Sequence, residues 1–162
     1  MKKLVLLLLV FLLVGCTSGE AVESDGSAMR IALYLDVIDK LMAEDDGLNH
    51  GIRYIGIDLS NASNLSDDEK DAIIRQIGER YQTETLIGTF EQLREQGYID
   101  PDVLYWEDGI LLTVSVISES DGTFTFDASK WRSGLGAIYF EDCTATLTAD
   151  GWTFEIGAFA IA

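Results

Sequence analysis

Two cations flank a tryptophan in Ser129-Lys130-Trp131-Arg132-Ser133-Gly134-Leu135-Gly136, within a chain that holds 11 Lys and Arg against 28 Asp and Glu. Lys130 and Arg132 can hold a carboxylate or another anion, and Trp131 can stack on it. Gly134 and Gly136 permit close backbone approach. The segment is therefore a candidate ligand-binding loop. It is not a phosphate loop, because the Walker spacing and its Lys-Ser/Thr pair are missing. The plainer alternative is a connection whose Trp131 caps the core and whose cations pair with local acids.

Other constellations carry less. Glu141-Asp142 interrupts apolar strand residues, so one carboxylate can point inward as a general base or ligand anchor; otherwise the pair sits on a rim and blunts the sheet. These two are the weak catalytic candidates. His50 is the single histidine, and no G-x-S-x-G elbow accompanies it. One His and one spare Cys make no zinc set. Asp58 to Glu69 has the length of a calcium loop, with Asp58, Ser60, Ser66 and Glu69 at ligand positions. Ser63 replaces the turn glycine, however, and Ala62 stands where a ligand belongs. A Ser66–Glu69 capping box explains the same residues. No metal and no cofactor are expected.

The elements that must position these groups follow from periodicity. Ile31, Leu35, Ile38 and Met42, with Tyr34 and Leu41, form the apolar stripe of a helix over residues 28–43. A strand over 52–59 follows. Ser66-Asp67-Asp68-Glu69 opens a second helix with Ile73, Ile74, Ile77 and Tyr81 inward. A short helix is predicted over 88–96, with Phe90 and Leu93 inward and Gly97 as its stop. Beyond Pro101 the pattern is β. Asp108-Gly109, Asp121-Gly122 and Asp150-Gly151 each read as a hairpin turn, joining 103–106, 109–118, 123–128, 137–147 and 152–161.

The last two strands change face. Ile138 and Phe140 share one parity, and Cys143, Ala145 and Leu147 share the other. Trp152, Phe154 and Ile156 alternate with one phase, Phe159 and Ile161 with the opposite one. Paired across Asp150-Gly151, both switches fall at the same height. A one-residue slip reverses the buried face, so a bulge or sharp bend is predicted there. The expected fold is α+β: N-terminal helices packed on a curved, mostly antiparallel sheet.

Composition sets the remaining bounds. The chain has 162 residues, 48% hydrophobic, with one Pro and a net charge of −17. Nucleic acid is excluded as a natural partner, because phosphate contacts need clustered cations. Docking on anionic lipid by charge is disfavoured for the same reason.

The N-terminus carries the sharpest signal. Lys2 and Lys3 precede an apolar run from Leu4 to Val14, too short for an ordinary bilayer span. Leu13-Val14-Gly15-Cys16 then resembles the lipobox of bacterial lipoproteins. The resemblance implies diacylglycerol on the Cys16 sulfur, cleavage before Cys16, and membrane anchoring through the acyl chains. Residues 1–15 would be the signal peptide, 16–27 a Gly/Ser-rich flexible tether, and 28–162 one domain. Thr17 is not the Asp associated with inner-membrane retention, so an outer-membrane location stays open. Cys143 is then left as a lone thiol in an apolar strand, read as a small core residue.

With Gly88-Thr89-Phe90-Glu91-Gln92-Leu93, Lys130 to Ala137, and Phe140-Glu141-Asp142-Cys143-Thr144-Ala145, the chain resembles small lipoproteins of Gram-positive bacteria, some labelled as substrate-binding parts of peptide transporters. The order of helices and curved sheet is also similar to NTF2-like folds. These resemblances imply an extracytoplasmic, lipid-anchored protein that binds a small ligand, a peptide or an envelope partner. The alternatives are an NTF2-like enzyme using a buried carboxylate, an accessory subunit of a peptide transporter, or a structural lipoprotein.

Overall fold

The computed structural model describes residues 18–162, with side chains from residue 26 onward. The lipobox and Cys16 lie outside the described residues. In chain order the elements are α1 (Ser18–Ala43), a 3₁₀ turn (Asp46–Asn49), β1 (Tyr54–Asp58), α2 (Asp67–Tyr81), β2 (Glu84–Ile87) and α3 (Phe90–Glu95). Five strands follow: β3 (Gly109–Ser120), β4 (Thr123–Ser133), β5 (Gly136–Thr148), β6 (Gly151–Glu155) and β7 (Ala158–Ile161).

The strands form one curved mixed sheet ordered β2-β1-β3-β4-β5-β6, with β7 also on β5. β1 runs parallel to both β2 and β3, and the remaining pairings are antiparallel. The fold is thus α+β, with helices on a mostly antiparallel sheet.

The helices form where their apolar spacing places them. Leu35, Ile38, Leu41 and Met42 of α1 and Ile73 and Ile77 of α2 are buried with Ile55, Ile57, Ile110, Leu112 and Val114 of the sheet. Each fully buried isoleucine there contributes about 1.5–3 kcal/mol of transfer free energy. The capping box of α2 is complete: Ser66 Oγ accepts from Glu69 N, and Glu69 Oε2 accepts from Ser66 N at 2.8 Å. Arg30 of α1 adds an ion pair to Glu69 at 3.2 Å, fixing the start of α2 against α1. A second box, Thr89 with Gln92, opens α3 and was not read from the sequence.

The structure corrects several expectations. Over 18–27, where composition suggests a flexible tether, the backbone is helical. Glu20, Ala21 and Glu23 are good helix formers, and extending an existing helix avoids the nucleation cost. The four residues of β2 have no periodicity of their own; they are a strand because β1 offers a parallel edge. Residues 103–106 are turns with an isolated bridge at Tyr105, not a strand. Asp108-Gly109 is accordingly no hairpin: the Asp108 carbonyl accepts from Arg53 N and Tyr54 N and starts the parallel β1–β3 ladder. The other two Asp-Gly turns do join antiparallel strands, β3 to β4 and β5 to β6.

The parity switch is where the pattern puts it. Phe126 pairs with Cys143 and Ala128 with Phe140, so Asp127 alone faces both Glu141 and Asp142. Asp142 takes a positive φ of 52° in this bulge, and its N–H donates to Asp127 Oδ1 at 2.9 Å. On the other edge of β5, the same height separates β6 from β7 at Ile156-Gly157. Gly157 is required there, because a Cβ would stand 2.5 Å from the Asp142 carbonyl oxygen.

A smaller cluster lies on the opposite face of the sheet. Leu93 of α3 packs with Ile99, Trp106 and Leu111, flanked by Tyr54, Tyr98, Phe90 and Trp131. Because α3 covers only this end, the rest of that face, including Thr113, Ser115, Ser129 and Asp127, is partly open to solvent.

Candidate functional site

The Ser129–Gly136 segment is mostly strand, not a loop. β4 runs to Ser133, and only Gly134 and Leu135 form the turn to β5. Strand alternation therefore sends Lys130 and Trp131 to opposite faces. Lys130 is fully buried among the helix-facing residues. Its ammonium donates to the Glu44 carbonyl, to the Asp45 carbonyl at 3.1 Å and to Asn49 Oδ1 at 3.2 Å. All three N–H groups are used, so none is left for a ligand. Burial lowers its pKa, and the charges of Asp45, Glu44 and Asp46 oppose that shift without cancelling it. Trp131 packs edge-on against Phe90, with ring centroids 4.8 Å apart. Gly134 lies in the turn, and Gly136 opens β5 opposite Ser133, where a Cβ would meet Leu48 at 3.0 Å. The five residues do not form one site.

Arg132 is different. Its Nε donates to the Trp106 carbonyl, Nη1 to the carbonyls of Leu48 at 2.8 Å and His50 at 2.7 Å, and Nη2 to that of Glu107. Four of the five guanidinium N–H bonds are thus spent on backbone, and one remains. Among the described residues it makes no ion pair. Its own carbonyl accepts from Trp106 N at 2.9 Å, so strand and side chain together clamp the linker before β3.

This guanidinium lines an open cleft of about 740 Å³ with Gly51, Tyr54, Gly97, Tyr98, Tyr105, Glu107 and Asp108. The three tyrosines come from β1, from the end of α3 and from the linker. Tyr54 and Tyr98 meet edge to face at 5.4 Å, and Arg132 Cζ stands 5.8 Å from the Tyr105 ring. Arg53 covers the Tyr54 ring at 5.3 Å and reaches Asp108 at 3.7 Å. An Asx turn builds the linker: Asp100 Oδ1 accepts from Asp102 N and Val103 N, and Asp100 N donates back to Tyr105 O at 2.9 Å. Leu104 pays for that turn with a φ of 48°. Only Arg132 of this cleft was singled out by sequence; the tyrosines lie far apart in the chain and follow no shared period.

A second cleft of about 270 Å³ opens beyond the carboxyl ends of β1 and β2, lined by Asp58, Ser60, Asp67, Lys70, Asp71, Ile87, Thr89 and Gln92 among others. The connections leave these parallel strands toward opposite faces of the sheet, the geometry in which open α/β sheets bind ligands. Here the position is preoccupied. The Ser66 and Thr89 boxes already cap both helix starts, and Asp58 Oδ1 accepts from Ser60 N at 3.0 Å and from Ser60 Oγ. The same bonds account for the residues of the calcium-loop pattern, and no cluster of metal-ligating side chains occurs among the described residues.

Glu141 and Asp142 are both exposed in the bulge. Neither points inward, because the extra residue turns both side chains out of the core, and the support for a buried catalytic carboxylate is gone. Cys143 is a free thiol, fully buried, with its pKa pushed up by burial to about 11. His50 is exposed, and its carbonyl, not its ring, serves Arg132.

No family model, no curated protein and no solved structure matches this chain. Among the described residues, no helix is long and apolar enough to cross a membrane.

Proposed function

We propose that this is a lipid-anchored extracytoplasmic protein that binds a small ligand in the Arg132–tyrosine cleft. The observation that carries the reading is Arg132 itself. It is held rigid by four backbone carbonyls, keeps one donor free, lacks an acidic partner among the described residues, and lies in a cleft walled by three aromatic rings. Small-ligand sites place a few fixed polar groups beside aromatic side chains. Anchoring rests on the lipobox. The 26 residues of α1 place its far end about 39 Å from Ser18. The cleft lies beside the 3₁₀ turn that follows that far end.

Two measurements test this. Native mass spectrometry of the protein extracted from its host envelope should show an added mass, absent or reduced in Tyr98→Ala. A bound mass unaffected by that change would move the site elsewhere. Cys16→Ser should shift the protein from the membrane fraction to the soluble extracytoplasmic one, and unchanged fractionation would remove the anchor.

A further inference from the structure

We propose that the ligand of the Arg132 cleft is an uncharged polyhydroxyl compound, a saccharide. This deepens the binding reading above and rests on it. The cleft brings both signs of charge together in a chain of net charge −17. Glu107 and Asp108 line it together with Arg132, which ion-pairs with neither, and Arg53 stands 3.7 Å from Asp108. An anion meets the carboxylates and a cation meets Arg132, so neither charge is favoured.

Hydrogen-bonding inventory selects further. Carboxylates only accept and guanidinium only donates, so the ligand must supply both donors and acceptors over a short distance. A sugar hydroxyl is both. The Tyr98 and Tyr105 hydroxyls make no hydrogen bond with a described residue, and each can serve in either sense. The walls complete the match. Tyr105 is the exposed ring of the three, with Arg132 Cζ 5.8 Å from its centre; it is amphipathic, with an apolar ring face and a polar tip, and a pyranose presents an apolar C–H face edged by hydroxyls. Gly51 and Gly97 on the rim have open space where a side chain would project, which leaves room for a chain of rings.

The test is calorimetric titration of the full-length protein in a detergent without a sugar headgroup. The probes are chitotetraose, maltotetraose and cellotetraose, with citrate and tetra-lysine as charged comparators. Binding of at least one neutral tetrasaccharide is expected, unchanged by added salt. Tyr105→Ala should weaken it about tenfold and Glu107→Gln about threefold or more. Tyr105 is 38% exposed, so its loss leaves the core intact. Two results overturn the inference. One is citrate binding that strengthens in Glu107→Gln and falls with salt. The other is failure of all three tetrasaccharides to bind at about 10 mM, a concentration above the weakest affinities of interest. If native mass spectrometry still shows a cleft-dependent added mass, the saccharide assignment fails and the binding reading stands. If neither is seen, both fail.

Discussion

Replacing Lys130 by methionine isolates what a buried cation does for this fold. The apolar stem is kept, so packing against Ile138 and Leu112, its partners on β5 and β3, changes little. The lost ammonium leaves the carbonyls of Glu44 and Asp45 and the Asn49 side chain without a donor. Asp45 is exposed and can take water, whereas Glu44 and Asn49 are only partly accessible. Each unsatisfied acceptor costs about 1–3 kcal/mol. Loss of a cation beside the last carbonyls of α1 adds about 0.3–1 kcal/mol. Release from the burial of an ammonium works in the opposite direction. The expected net is a destabilisation of about 2 kcal/mol, or about 4–8 °C in Tm for a chain of this size. Urea unfolding followed by tryptophan emission reads it directly, since Trp106 is fully buried.

The alkaline limb supplies a second readout. Lys130 has a lowered pKa in the native state, so the native protein sheds this proton before the unfolded chain does. Between that lowered value and the ordinary 10.5, the unfolded state holds more protons, and this group's contribution to stability rises with pH. Lys130→Met should lack that rise. A variant as stable as the parent at neutral pH, with an unchanged alkaline slope, would refute the argument that these three acceptors depend on Lys130.

Further outcomes follow from the caps, the thiol and the bulge. Ser66→Ala should cost about 1 kcal/mol in urea unfolding, because it removes one half of the α2 capping box. Burial tends to raise the Glu69 pKa, but hydrogen bonds from Ser66, Ser27 and Arg30 outweigh it and hold the value below the ordinary 4.5. Its stabilising contribution is therefore complete above about that pH and is lost as pH falls through the lowered value; Glu69→Gln should flatten this acid limb. Cys143, with a thiol pKa near 11, should resist a thiol reagent at pH 8 until urea unfolds the chain; fast labelling of the native protein would contradict its burial. Gly157→Ala should destabilise by about 1–3 kcal/mol, since its methyl would lie 2.5 Å from the Asp142 carbonyl.

Much of the scaffold is written locally. The stripe of α1, the Ser66–Glu69 box and the Asp121-Gly122 and Asp150-Gly151 turns depend on residues a few positions apart, and sequence spacing alone determines them. So does the bulge at Glu141-Asp142, because strand parity has a period of two and two adjacent strands switch it together. The resemblance of Leu13-Val14-Gly15-Cys16 to a lipobox, on which the proposed anchor rests, is likewise read from adjacent residues and needs no fold. Only tertiary structure decided that Glu84–Ile87 is a strand and that β1 has parallel partners on both sides. A strand edge lends its register to a neighbour that has no pattern of its own. It also decided the fates of Lys130 and Arg132. Side by side in sequence terms, they differ in what the chain brings to them: the end of α1 closes over one, and the other is left beside Tyr54, Tyr98 and Tyr105. Acceptors that arrive from more than 80 positions away leave no mark on the local pattern, since long-range closure, and not spacing, sets which donors they meet.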